Sequence, residues 1–318
     1  MASTYLTLVN NVLRDMNEVE LTSSSFTSSR GVQTTVKDYI NRSISDILNA
    51  EINWPFTRAE GSVDAIAGKQ LYSFASIAST LKYIDYDNVF LMPKDYITNG
   101  DFEISGSASI TNWATISGSP AASSKFGNTL LLTSAKSSQE VEDLIVGKSY
   151  VILIQTSGAT LTLDVGTSSG GTQTKTTTLT IASGNEVLLS EVTFTATATT
   201  HYVTFTESAG ATAYVKLVQL AENITPIGLK YISYEEYSER YRERDSRPDT
   251  DKFSDPEFIY TTYNDEIGLS PIPDTSNRTI KFDYYTSNVD LSAHGDTSII
   301  PTRFESVINA RAKYYTYM

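Results

Sequence analysis

Cysteine is absent from the 318 residues, so the chain can carry no disulfide framework, no thiolate metal site and no thiol nucleophile. Cations are scarce. Lys and Arg total 24 against 37 Asp and Glu, a formal charge of −13. That deficit argues against nucleic acid or an anionic membrane as an adhesive partner, since both need clustered Lys and Arg. It is compatible with a surface that repels DNA and lets it slide. No apolar run approaches the ~18 residues of a spanning helix, so no transmembrane helix and no membrane partner are expected. The opening residues Met1-Ala2-Ser3-Thr4-Tyr5 lack the basic region of a secretory signal.

Arginine is the most unevenly missing residue. Residues 98–221 contain none and are roughly a third Ser and Thr, while the flanks hold every Arg and both long helical patterns. One domain is therefore expected to interrupt another, with boundaries at 1–97, 98–221 and 222–318. The two flanks must then fold together, and the ends of the insert must lie close to each other. Tyr, by contrast, is abundant at 20 residues, which suits a structural or interface protein.

The first flank opens with Leu6, Val9, Val12, Leu13 and Met16 at helical spacing. After the polar run 22–30, Val32, Val36, Tyr39, Ile40, Ile44, Ile47 and Leu48 form a second stripe. It is expected to end near Asn53, because Pro55 disfavours a helical Trp54. The pattern then turns to strands. Ser62–Ala67 and Gln70–Phe74 about Gly68-Lys69 read as a tight hairpin. Leu81, Tyr83 and Val89–Met92 read as further strand segments.

In the second flank, Ser233 with Glu236 forms a capping-box signature ahead of a charged helix over Tyr234–Asp245. A β-meander of Phe258–Tyr263, Ile267–Leu269 and Thr279–Tyr285 follows. Thr302 and Glu305 offer a second capping box for a last helix. Its face of Phe304, Val307, Ile308, Ala312 and Tyr315 is expected to pack on Ile40, Ile44 and Ile47. No helix-ending signal precedes Met318, so a continuation of the chain is expected.

The insert reads as all-β. Tyr150–Gln155, Thr160–Val165, Lys175–Ile181, Glu186–Phe194, His201–Phe205 and Ala213–Leu220 are strand-length runs, many alternating apolar with Thr or Ser. Gly and Ser clusters separate them at the spacing of a sandwich. The fold class is thus α+β, a helical framework with a small β-meander interrupted by an all-β sandwich.

Several flank segments, in order, resemble one family. They are Val9-Asn10-Asn11-Val12-Leu13, Asn53-Trp54-Pro55-Phe56 with Glu60-Gly61, Leu229 to Tyr237, Gly268-Leu269-Ser270-Pro271-Ile272-Pro273, Phe282-Asp283-Tyr284-Tyr285 and Ile300-Pro301-Thr302-Arg303-Phe304. Together they resemble the head-to-tail adaptors of short-tailed bacteriophages, the tail tubular protein A family. The resemblance implies a structural virion protein at the head-to-tail interface of the tail. It would be a homo-oligomeric ring joining the portal protein to the tail nozzle protein, with DNA passing through its lumen without specific binding.

Within the insert, Asn99-Gly100-Asp101-Phe102-Glu103 with Trp113, and the run Tyr214 to Leu220, resemble the first and closing strands of carbohydrate-binding jelly rolls. In a ring around DNA such a module is expected to project outward, toward a tail fibre, a neighbouring subunit or a glycan. The alternative is a glycan-binding or fibre-type tail protein in which the jelly roll is the functional module and the flanks anchor it. A polysaccharide hydrolase ranks last, because few aromatics lie near the insert's acids.

No catalytic residues, metal ligands or cofactors are expected. His201 lies in a strand run and His294 beside Gly295-Asp296, with nothing to orient either as a base. Gly170-Gly171 lacks the strand–turn–helix context of a phosphate loop. Asp101 and Glu103 alternate to one face of an expected strand, where a calcium site is weighed against two solvated acids, the preferred reading. Trp113 is the glycan-stacking candidate, weighed against a core position that is preferred. Arg240, Arg242, Arg244 and Arg247 are interface candidates for a neighbouring subunit or the portal. The preferred reading is a solvated face with Glu236–Arg240 and Glu243–Arg247 pairs.

Overall fold

A computed structural model of the chain describes residues 3–51, 53–103, 110–179, 187–247 and 252–318. From the N-terminus the elements are α1 (Tyr5–Asp15), α2 (Val32–Ala50), β1 (Arg58–Asp64), β2 (Leu71–Ser73), α3 (Phe74–Ile77) and β3 (Leu81–Pro93). Ten strands follow: β4 (Ala114–Ser117), β5 (Ala121–Ser123), β6 (Thr129–Leu132), β7 (Lys136–Val141), β8 (Ser149–Gly158), β9 (Leu161–Gly166), β10 (Lys175–Leu179), β11 (Leu188–Thr195), β12 (His201–Thr206) and β13 (Ala213–Glu222). The chain then forms β14 (Ile227–Gly228), β15 (Lys230–Tyr231), α4 (Tyr234–Arg240), α5 (Arg242–Asp245), β16 (Phe258–Thr261), β17 (Glu266–Ser270), β18 (Arg278–Thr286) and α6 (Glu305–Thr316). Two compact units result. One comprises Met1–Leu91, Gly228–Thr275 and Ile280–Met318, the other Met92–Ile227 with Ser276–Thr279.

The first unit is built on three helices. The Thr4 hydroxyl caps α1 by accepting from the Thr7 N–H at 3.2 Å, satisfying one of the orphan donors of the first turn. The buried faces of α1 (Leu8, Val9, Val12, Leu13), α2 (Val36, Ile40, Ile44, Leu48) and α6 (Ile308, Ala312) share one core, with Ile47 packed at its edge. The Asn10 side chain fixes the loop after α1. Its amide donates to the Leu21 carbonyl and its oxygen accepts from the Leu21 N–H, both at 2.8 Å.

Several local expectations are corrected here. β1 and β2 do not form a hairpin. β1 belongs to a sheet of order β1-β18-β3-β14, and β2 to one of order β15-β16-β17-β2. Gly68 still turns the chain at φ +77°, but the strands leave in different directions to different partners. The meander is broken in the same way: β16 and β17 pair antiparallel, while β18 joins the other sheet.

The Ser233 hydroxyl caps α4 by accepting from the Glu236 N–H. The expected single helix is interrupted at Tyr241, giving α4 and α5. At α6 the expected capping box is not formed. Glu305 instead accepts from the N–H and hydroxyl of Ser3, at 2.8 and 2.6 Å. Phe304 and Val307, expected in the core, are 42% and 49% exposed.

The second unit is a sandwich of two five-stranded antiparallel sheets, β10-β9-β12-β7-β4 and β11-β8-β13-β6-β5. Without the short strands β4 and β5, the orders are β7-β12-β9-β10 and β6-β13-β8-β11. Apart from the β9–β10 hairpin, successive strands from β6 to β13 alternate between sheets, in the interleaved Greek-key order of a jelly roll. The pleat sends Ile152, Ile154, Leu161, Leu163, Val165, Val203, Phe205, Val215 and Val218 into one dry core, each 0% exposed. Burial of each such side chain is worth about 1.5–3 kcal/mol.

Residues 99–103, expected as the first strand, form no strand. Asn99 and Phe102 have φ of 53° and 56°, which breaks the extended run. The segment is still held beside the last strand. Tyr96 donates to the Leu220 carbonyl, and Val218 donates to the Gly100 carbonyl, both at 2.8 Å. Only glycine fits at Gly100, because a Cβ there would sit 2.0 Å from the Val218 carbonyl oxygen.

Gly268 faces Tyr260 across the β16–β17 pair, and an added Cβ would lie 2.1 Å from the Tyr260 ring. That ring stacks on Tyr237 at 3.9 Å, so it cannot retreat without dislodging α4. Gly268→Ala is expected to destabilise the first unit by about 1–3 kcal/mol through overpacking. A urea titration followed by tyrosine fluorescence checks it, and an unchanged midpoint contradicts this packing.

Candidate functional site

The outward face of the β10-β9-β12-β7-β4 sheet carries the site. Because Val203 and Phe205 of β12 point into the core, Tyr202, Thr204 and Thr206 point out. The same alternation sends Thr162 and Asp164 of β9, and Ser138 and Glu140 of β7, to that face. Strand register aligns them in rungs.

In one rung Glu140 faces Tyr202, which faces Gly166, and the Tyr202 hydroxyl donates to Glu140 Oε1 at 2.8 Å. In the next, Ser138, Thr204, Asp164 and Thr176 stand side by side. The Ser138 and Thr204 hydroxyls share a hydrogen bond of 2.9 Å, and Thr176 donates to Asp164 Oδ1 at 2.9 Å. Ser138, Thr204 and Asp164 are all buried, so the floor is polar yet almost fully satisfied internally.

A cleft of about 410 Å³ opens over this floor, lined by Asn112, Trp113, Ala114, Ser138, Glu140, Ser169 and Tyr202. A second lobe of about 590 Å³ is lined by Lys94 to Thr98, Asn112 and Gln139 to Asp143, Val141 excepted. The lobes share Asn112 and Glu140. Gln139 braces the join: its amide donates to the carbonyls of Thr98 and Asn112, and its oxygen accepts from the Thr98 N–H. The Glu140 carboxylate raises the Tyr202 pKa, through their hydrogen bond first. The phenol is therefore held as a neutral donor across the physiological range. Such a surface can offer hydroxyl and carboxylate partners and two half-buried aromatic rings, Tyr202 in the smaller lobe and Tyr96 in the larger.

Trp113 lies at the cleft wall but is only 7% exposed. It packs between Phe102 and Phe205 at 5.3 and 5.7 Å, and its indole N–H donates to the Asn99 carbonyl. A ring so enclosed has no open face for stacking, and Tyr202 is the ring that the smaller lobe presents. Composition alone could not distinguish Tyr202 from the other tyrosines. The signal lay in its position, one residue out of phase with the apolar Val203 and Phe205.

The other candidates lie apart from this site. Asp101 and Glu103 are exposed on a turn, not alternating on a strand, which corrects the geometry on which the calcium reading rested. Among the described residues no group of three or more His, Asp or Glu is placed to hold a metal ion. Gly170 ends a turn whose carbonyl accepts from Lys136 Nζ at 2.9 Å.

Arg240 pairs with Glu236 at 2.9 Å and Arg247 with Glu243 at 3.0 Å, both at i,i+4, and Arg242 is exposed. Arg244 folds inward, donating to Asp245 at 3.0 Å and to the Ser270 hydroxyl at 2.7 Å. His294 is exposed in a loop whose turn is set by Asp296 accepting from the Ser292 and Ala293 N–H groups. Among the described residues no helix is long and apolar enough to cross a membrane.

No family model matches the chain, and no curated protein matches it. Among solved structures it is similar to TmCBM61 in complex with β-1,4-galactotriose, at 17% identity over 41% of this chain and 99% of that one, with a TM-score of 0.32. It is also similar to the enzymatically active domain of bacteriophage CBA120 tailspike protein 4. There the identity is 14% over 40% of this chain, the TM-score is 0.33, and the chain spans 21% of that protein's length. A third likeness is to the N-terminal cellulose-binding domain of Cellulomonas fimi β-1,4-glucanase C, at 15% identity over 36% of this chain and 90% of that one, with a TM-score of 0.30. The strand order by itself defines the class of the second unit, a jelly-roll β-sandwich.

His201 is 0% exposed, packed against Phe194 at 5.6 Å and bonded through Nε2 to Thr197. Burial lowers its pKa, because an imidazolium would lose its hydration there. A pKa lower in the folded than in the unfolded chain makes stability fall as pH drops below the unfolded value of about 6.5. The urea midpoint of the sandwich is expected to fall between pH 7.5 and 5.5, and less so in His201→Leu. Equal pH slopes in the two proteins contradict the assignment.

Proposed function

We propose that the jelly roll is a glycan-binding module and that the flanks anchor it in a virion tail. The observation that carries this is the two-lobed cleft on the outward face of the β10-β9-β12-β7-β4 sheet. A sugar ring has an apolar C–H face and a rim of hydroxyls. The half-exposed Tyr202 ring matches the first, while Asn112, Ser169 and Glu140 match the second. Binding is favoured over turnover in the smaller lobe, where Asp164 is 5% exposed and held by Thr176 and Glu140 is the one carboxylate in the lining.

The test is titration of the full chain with neutral, amino and acidic oligosaccharides. Tyr202→Ala is expected to weaken binding about tenfold or more, roughly 1.4 kcal/mol. Trp113→Ala is expected instead to lower stability by about 3–5 kcal/mol, as removal of a core aromatic does. Absence of binding to every class of glycan overturns the reading.

A second reading, a ring-forming head-to-tail adaptor between portal and tail nozzle, is supported by α6. Its inner face buries Ile308 and Ala312, while Phe304, Val307 and Tyr314 form an outer row 42%, 49% and 56% exposed. A helix apolar on both faces suits a subunit packed against other copies or a partner. DNA would pass through the lumen, and the sandwich would face outward toward a fibre, a neighbouring subunit or a glycan. Micrographs of the purified chain at tens of micromolar are expected to show closed rings, and a monomer alone under those conditions contradicts this reading.

A further inference from the structure

We infer that the cleft selects glycans bearing free amino groups over neutral ones and rejects uronates and sulfated sugars, with Glu140 as the selectivity residue. This rests on the glycan-binding reading and adds the chemical class of the ligand. Glu140 lines both lobes, so a ligand in either lies against it. Its Oε1 is engaged by the Tyr202 hydroxyl, which fixes the carboxylate in place and leaves Oε2 as a second acceptor. An acceptor-only group there demands a donor from the ligand, and an ammonium is the strongest donor a sugar can carry.

The surroundings lean the same way. Glu142 and Asp143 are exposed in the larger lobe. Asp95 is held there by the N–H groups of Ile97 and Leu220, each at 3.0 Å, so its charge is fixed in position. The groups that recognise carboxylate and sulfate are Arg forks and Lys ammoniums. Residues 98–221 contain no Arg, and Lys136, on the same face as Ser138, has its ammonium donating to Gly170 O. Lys94 is the one cation lining the larger lobe; its ammonium lies 5.8 Å from the Tyr96 ring, and it is outnumbered there by Asp95, Glu140, Glu142 and Asp143. A metal ion is not the cation implied, since no three acids among the described residues are placed to share one. The hydroxyls of Ser169 and Tyr202 serve any sugar, so discrimination by charge falls to the carboxylates.

The experiment is calorimetric titration of the full chain with three hexamers, glucosamine, N-acetylglucosamine and galacturonate, at a pH where amines are protonated and carboxylates ionised. The glucosamine hexamer is expected to bind at least tenfold tighter than its acetylated counterpart, and galacturonate not measurably. Raising salt to about 0.5 M is expected to shrink the preference, because exposed charges are screened. Glu140→Gln keeps an acceptor for Tyr202 but removes the charge. It is expected to reduce the ratio of the two affinities at least threefold. Equal affinity for the acetylated hexamer, tight galacturonate binding or an unchanged ratio in Glu140→Gln overturns the inference while leaving the glycan-binding reading in place. Failure of all three hexamers to bind overturns the inference, and the glycan-binding reading falls with it where no glycan of any class binds.

Discussion

The two-residue period of the pleat is the constraint on which the rest of the sandwich depends. Filling the core with Leu161, Leu163 and Val165 of β9 and with Val203 and Phe205 of β12 forces Thr162, Asp164, Tyr202 and Thr204 onto the other face. No residue on that face can be moved inward without a register slip that would expose the core. The polar floor and the apolar core are two sides of one pattern. The strands that build the deepest part of the core also place the cleft's hydroxyls and carboxylates at fixed intervals. Rigid strands position a binding surface better than loops can, and loops are left to close the ends.

That dependence explains what the sequence made legible. Six strands of the sandwich, β8 to β13, stand close to their expected bounds, because many alternate apolar with Thr or Ser; the expected ends at Ile181 and Glu186 lie outside the described residues. The strands β4 to β7 were not legible. β7 buries Ser137, Ser138 and Gln139, whose polarity hides a strand from any count of apolar residues. Those buried groups are paired instead. Ser137 donates to the Ala114 carbonyl and Gln139 bonds Thr98 and Asn112.

The failures in the flanks have another cause. The longer strands stand near their expected places, whereas the two-residue strands β14 and β15 carry no pattern of their own. Adjacency in sequence does not give pairing: β1 with β2, like β17 with β18, go to separate sheets. Local pattern reports which residues are extended and is silent on long-range partners. The capping box at Thr302 failed similarly, since a distant residue, Ser3, competes for the Glu305 carboxylate. For the candidate site, Trp113 stands out by residue type, whereas Tyr202 stands out by position. Its phase against Val203 and its pairing with Glu140 are properties of the assembled sheet.

An acidic chain also sorts its carboxylates by what satisfies them. Burial of Glu207, 2% exposed, pushes its pKa up, but the backbone N–H groups it accepts from, Ser134 and Ala209 first, together outweigh this and lower it, and they fix the turn before β13. Glu222 lies buried against Asn277 and Lys148, and Asp245 accepts from Arg244 and from Ser270. These acids are enclosed by partners that the fold itself supplies, as burial of a charge requires. Glu140 is different in kind: exposed, with one oxygen engaged by a tyrosine and the other at a cleft. A charge that contributes nothing to packing and little to stability at an exposed position is free to be used for recognition. The acids that the fold consumes and the acid that it leaves between the two lobes are separated by burial, and that separation sets the cleft apart from the rest of an acidic surface.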